Sequence, residues 1–156
     1  HATVVNYNQF QGGSYMNNHF VSIIRRCELS YVRGEMERYG LIPLEGRLIR
    51  ILKDKSCSQE EMADYLNLDK GRIAKNLASL EEKGLICRKI NERDRRQKFV
   101  SLTDKGGEIY EHIRDIYKTW DQICYAGFSE EEQQIHQDHI KRIANNAVTY
   151  RKKGGI

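Results

Sequence analysis

Apolar residues recur with a helical period along most of this chain. Phe20, Ile23, Ile24, Cys27 and Tyr31 fall on one face and predict a long helix over 17–39, ended by Gly40. Arg25, Arg26, Glu28, Arg33, Glu35, Glu37 and Arg38 supply its wet face. Pro43 suits a helix N-terminus, and Leu44, Leu48, Ile51 and Leu52 carry a second helix to about Asp54. Ser58 and Glu61 have the spacing of a capping box, in which the hydroxyl takes one helix-opening amide and the carboxylate the other. They open a short helix with Met62 and Leu66 on one stripe. After the turn Leu66-Asn67-Leu68, Asp69 can cap a further helix in which Ile73, Leu77 and Leu80 face the core. That spacing directs Gly71, Arg72, Lys75, Ala78 and Ser79 outward, with Lys70 and Asn76 flanking them. Gly84 is placed to stop this helix.

The period then changes. Residues Leu85–Ile90 and Gln97–Leu102 are short runs suited to strands, joined by Asn91-Glu92-Arg93-Asp94-Arg95-Arg96, a segment too charged for a core. Two short helices and a β-hairpin make a winged helix-turn-helix. The fold class expected is mainly α, with a small hairpin wing and a helical layer beside the winged lobe. Ile109, Ile113, Ile116, Trp120 and Ile123 follow steps of 4, 3, 4 and 3, the spacing of a helix–helix seam. Gly127 breaks that helix, and Ser129 with Glu132 forms a second capping box. Ile135, His139, Ile143, Ala147 and Tyr150 mark the last helix, and Arg151-Lys152-Lys153 reads as a solvated tail. The small lobe offers these stripes little core, which implies an intertwined homodimer.

Charge sharpens the picture. Residues 69–98 hold ten Lys/Arg and five Asp/Glu, a net of +5, while the whole chain is +4, so the remainder is −1. Localised positive charge on a helix and a hairpin tip is the footprint of a nucleic-acid surface. The 156 residues, 39% hydrophobic and 31% charged, suit one helix-rich domain with much surface. No stretch approaches the roughly 18 to 20 apolar residues of a membrane span, so no membrane partner is expected. No secretory pattern is visible. Cys27, Cys57, Cys87 and Cys124 lie 30, 30 and 37 apart by subtraction, with no C-x-x-C pair, which fits a reducing cytoplasm. Residues 1–15 are expected to be an expression-vector remnant or a flexible arm, with Met16 as the native start. The winged lobe is expected over 43–103, and the dimerisation helices over 17–40 and 104–150.

Asp94-Arg95-Arg96 followed by Val100-Ser101-Leu102-Thr103-Asp104-Lys105-Gly106 resembles the "D-x-R … L-T-x-x-G" wing signature of MarR-type transcriptional regulators. Leu80-Glu81-Glu82-Lys83-Gly84-Leu85-Ile86 resembles their "L-E-x-x-G-L-I" link from recognition helix to wing. The resemblance covers roughly residues 20 to 150, with the motifs in the family's order. It implies that the first helix joins the dimer layer and the second supports the DNA-binding lobe. It also implies that Arg96 enters the minor groove with Asp94 orienting it.

The reading is therefore a homodimeric, sequence-specific DNA-binding regulator, a repressor on palindromic double-stranded DNA that a small-molecule or oxidant effector relieves. It is not an enzyme, and neither cofactor nor metal is expected. Arg72 and Lys75 can reach a base edge or phosphate, and Lys70 near the helix N-terminus suits a phosphate. Gly71, Asn76 and Ser79 complete the helical surface, and Arg93, Asp94, Arg95 and Arg96 the wing. The effector pocket is expected among Ile24, Cys27, Tyr31, Leu48, Ile113 and Tyr117. By resemblance Cys27, with Tyr31 one turn on, could sense oxidant, but a small buried hydrophobe is the plainer reading. Cys87 and Cys124 read as filler and Cys57 as an exposed loop residue. His136, His139 and His112 suggest the alternative of a metal-responsive sensor, although the second paired histidine expected of such relatives is missing. The other alternative is a winged-helix protein–protein adaptor, which would have no use for the +5 patch.

Overall fold

A computed structural model describes residues 16–90 and 98–155 of the chain. Helix α1 spans Met16–Glu37, α2 Pro43–Asp54, α3 Gln59–Leu66, α4 Lys70–Glu82, α5 Asp104–Cys124 and α6 Glu130–Tyr150. The strands are β1 Cys57–Ser58, β2 Ile86–Ile90 and β3 Lys98–Leu102. They form one antiparallel sheet in the order β1-β3-β2, with Cys57 opposite Val100 and Arg88 opposite Val100 from the other side. Among the described residues no helix is long and apolar enough to cross a membrane.

Two compact units divide the chain, the first ending at Lys118 and the second beginning at Thr119. The core lies in the first. Ile73, Leu77 and Leu80 of α4 are fully buried, as their spacing predicts, and meet Leu48 and Ile49 of α2, Met62 of α3 and Val100 of β3 in one cluster. Ile113 and Ile116 bring α5 into that cluster. At about 25 cal/mol per Å² of apolar area, each such side chain contributes roughly 1.5–3 kcal/mol.

Helix α1 departs from expectation. The face Phe20, Ile24 and Cys27 is exposed, and Val32 and Met36 are the residues that seat the helix on the core. In the second unit α6 has no buried residue, and Ile135, Ile143 and Tyr150 of its predicted stripe stand in solvent. Ile140 and Val148 stand there too.

Local chemistry sets the helix ends. The Ser58 amide donates to Glu61 Oε2 at 2.7 Å, and the Glu61 amide donates to Ser58 Oγ at 3.1 Å. The backbone hydrogen bond from Ser58 holds the Glu61 carboxyl below its ordinary value, with Lys55 adding a smaller push the same way. Its contribution is then complete above the ordinary carboxylate range and is lost as pH falls through the lowered value. Acid should loosen the Ser58 amide first, and Glu61→Gln should flatten that dependence. Amide hydrogen exchange from pH 6 down to about 3 tests this; the same pH profile in both proteins would contradict it. At α6 the Ser129 amide donates to Glu132 Oε2 at 2.7 Å, completing the second predicted box.

Candidate nucleic-acid interface

Helix α4 is held by its inner face and presents its outer one. The Arg72 amide donates to Asp69 Oδ1 at 2.8 Å, so Asp69 caps the helix as its position predicts. Asn67 takes the left-handed conformation at φ 52° to close the turn from α3. Gln59 Nε2 donates to Lys70 O at 3.3 Å and ties the start of α4 to α3. Lys70, Gly71, Arg72, Lys75 and Ala78 are exposed. Among the described residues a Cβ at Gly71 would meet only Asp69 Oδ1, the capping oxygen, at 3.3 Å. The surface is small at Gly71 and Ala78, cationic over its first half at Lys70, Arg72 and Lys75, and acidic at its end, where Glu81 and Glu82 are exposed; small residues let a helix approach a groove closely.

Two residues expected on this surface are turned inward. Asn76 is 8% exposed, and its Nδ2 donates to Arg72 O at 2.8 Å. On a wheel of about 100° per residue it lies roughly 40° beyond Leu80, at the edge of the buried arc, and it bonds back to the preceding turn because a packed amide needs a partner. Ser79 is half-buried, and its Oγ donates to Glu45 Oε1 at 2.7 Å. Its hydroxyl serves the interior. The other half of the expected surface, Arg93, Asp94, Arg95 and Arg96, lies outside the described residues.

Sequence reading missed Glu45. This carboxylate is 2% exposed and accepts from Lys83 Nζ at 2.8 Å on each oxygen, from Ser79 Oγ, and from the Ile42 amide at 3.0 Å. Nothing local distinguishes it from a glutamate in any first helical turn. Its partners on α4 lie 34 and 38 residues away.

The stretch that resembled a wing signature has a physical role. Thr103 Oγ1 donates to Gly84 O at 2.7 Å and accepts from the Gly106 amide at 3.1 Å, while the Thr103 amide donates to Leu85 O at 3.1 Å. Gly84, at φ 71°, ends α4 in a conformation that favours glycine. Threonine thus caps α5 and clasps the end of α4 at once. Lys105 Nζ adds a bond to Lys83 O at 2.9 Å.

The expected effector residues differ in exposure. Leu48 and Ile113 are closed in the core, while Ile24 and Cys27 are exposed. Tyr31 is half-buried, and the Arg50 guanidinium stands 4.1 Å over the Tyr117 ring. Leu48 and Ile113 are each 0% exposed. A cavity of about 750 Å³ lies elsewhere, lined by Arg47, Arg50, Lys55, Cys57, Tyr65 and Tyr110 among others from α2, α3 and α5. Cys57, expected in an exposed loop, is buried in β1, and burial pushes its thiol up from the ordinary range. Cys27 is exposed rather than buried filler, and so is Cys124. Cys87 Sγ lies 3.4 Å from Ser101 Oγ. His112 stacks on Tyr39 at 4.9 Å, and His136 Nδ1 pairs with Tyr125 OH at 2.8 Å.

A capped pair of helices, a three-stranded wing sheet and a cationic, outward α4 face define a winged-helix transcriptional regulator. The family model of a winged helix DNA-binding domain matches residues 41–106. The HTH-type transcriptional regulator YwaE of Bacillus subtilis strain 168, itself uncharacterised, is 35% identical over 132 residues, covering 82% of this chain and 77% of that protein. A crystal structure of MarR is 28% identical with a TM-score of 0.79, covering 87% of this chain and 93% of its own. A regulator assigned to the MarR family from Listeria monocytogenes, complexed with 26mer DNA, is 25% identical with a TM-score of 0.76, covering 92% and 97%. The chain belongs to the MarR family of winged-helix transcriptional regulators.

Proposed function

We propose that this protein is a sequence-specific repressor that binds a palindromic operator as a homodimer, with α4 in the major groove. The single observation that carries the proposal is the α4 surface, where Lys70, Gly71, Arg72 and Lys75 are exposed while Ile73, Leu77 and Leu80 of the same helix are fully buried. A groove about 12 Å wide admits one helix, and an arginine there can pair bidentately with guanine. Lys70, at the helix start, takes a phosphate. The DNA complex of the Listeria relative supports this use of the fold. The family resemblance supports Arg96 of the wing in the adjacent minor groove, with Asp94 orienting it and Arg93 and Arg95 nearby.

The dimer has its support in the open apolar faces. Phe20, Val21 and Ile24 on α1 are exposed, and so, in the other unit, are Ile135, Ile143 and Val148 on α6. Large exposed apolar surfaces mark association sites. An effector in the cavity between α2, α3 and α5 would bear on the lobe that carries α4, and so release DNA.

Two α4 helices in a two-fold dimer should read half-sites about one helical turn, roughly 10 bp, apart. Duplexes selected from a random pool should therefore contain an inverted repeat. Inserting about half a turn between the repeats should abolish tight binding. A protein that scatters light as a monomer at micromolar concentration, or binds regardless of spacing, would contradict the dimer.

A further inference from the structure

We propose that Glu45 is a positioning residue for DNA reading, fixing the rotation of α4 about its own axis through Ser79 and Lys83. This inference rests on α4 being the reading helix. The inner face of α4 is held by Ile73, Leu77 and Leu80, whose burial keeps that face inward but, being non-directional, sets its fine rotation only loosely. A rotation well short of the roughly 100° between successive residues keeps that face buried and would still shift Arg72 and Lys75 against a groove. Directional bonds resist such a rotation, and those of Ser79 and Lys83 converge on one carboxylate. Ser79 of α4 and Lys83, the residue that caps its C-terminus, stand about one helical turn apart, and both donate to Glu45, which is itself fixed by the Ile42 amide at the start of α2.

Stability alone does not account for the arrangement. A buried ion pair is often no more stabilising than apolar residues of the same size, because both ions lose their water. Such a pair does define an orientation. Among the described residues the start of α4 has one side-chain tie to another element, Gln59 to Lys70, at 3.3 Å. Among the same residues the end has five: Ser79 and Lys83 bond Glu45, Arg88 of β2 bonds Glu81, and Lys105 and Thr103 of the α5 junction bond the Lys83 and Gly84 carbonyls. Lys83 therefore takes its side-chain constraint from α2 and its backbone constraint from α5. A shift of α5 against α2 therefore bears on the end of the reading helix at this residue.

The test compares the wild type with Glu45→Met/Lys83→Met, which removes the bonds but keeps apolar volume in their place. Spin labels are introduced as non-natural amino acids at exposed positions 54 on α2 and 78 on α4, with labelled protein diluted into unlabelled. The wild type should give one narrow distance distribution. The double variant, melting within a few degrees of the wild type, should give a broadened or shifted one. In parallel, its preference for the selected operator over random duplex should fall at least tenfold while its affinity for random duplex stays within about twofold. Glu45→Gln, which retains the acceptor geometry in part, should fall between. An unchanged distance distribution overturns the positioning role. If the wild type binds no duplex at all, the DNA reading fails, and the distances still decide whether Glu45 sets the helix.

Discussion

Gly106→Ala should destabilise the first unit by about 3 kcal/mol, the upper end of what a single added methyl costs in a packed site. A Cβ at Gly106 would stand 2.0 Å from the Leu85 carbonyl oxygen and 3.0 Å from its carbon, and neither is a flexible side-chain end. The same carbonyl accepts from the Thr103 amide, so moving it away also strains the clasp between α4 and α5. Gly107 is the control. It lies in the same turn of α5, and a Cβ there meets nothing within 4 Å. Gly107→Ala should be neutral or stabilising by roughly 0.5–1 kcal/mol, as a helical glycine replaced by alanine is. Urea unfolding of the two variants checks this, and equal midpoints would show that the close approach at Leu85 does not exist in solution.

Lys83→Met should cost roughly 2–3 kcal/mol. Removing one partner of a fully buried pair costs about 3–5 kcal/mol, and the lower figure applies because the Lys83 side chain is 35% exposed and water can reach part of the site. The carboxylate left behind is 2% exposed and keeps only Ser79 and the Ile42 amide. Adding Glu45→Met should restore most of the loss, to within about 1 kcal/mol of the wild type, since no buried charge then remains. Thermal unfolding of the single and double variants tests this. A double variant as unstable as Lys83→Met would mean that the lost packing of the lysine stem, not the orphaned charge, is responsible.

What could be read in the sequence was local. Ser58 with Glu61, Asp69, Gly84, and Ser129 with Glu132 act within four residues of themselves, and each does in the structure what its spacing predicts. Ile73, Leu77 and Leu80 were legible for the same reason, since one helix face buries as a unit. Strand β1 was not, because two residues have no period and Cys57–Ser58 becomes a strand only by pairing with Val100 and Phe99. Glu45 was hidden because its burial is decided by Ser79 and Lys83, far along the chain. Asn76 fell on the wrong side of a boundary that a helical wheel draws too coarsely. The α1 stripe was found, but periodicity says only that a face is apolar. Val32 and Met36 meet this chain's own core, while Phe20 and Ile24 do not.

The central claim is that the exposed face of α4 reads bases. It is tested most directly by titrating wild type and Arg72→Ala against the selected operator with every half-site position substituted in turn. The account predicts that Arg72→Ala loses discrimination at one base position per half-site, worth roughly 1–3 kcal/mol, and keeps the wild-type preference at the others. Matching profiles for the two proteins, or an even loss at every position, would contradict it, for Arg72 would then touch no base.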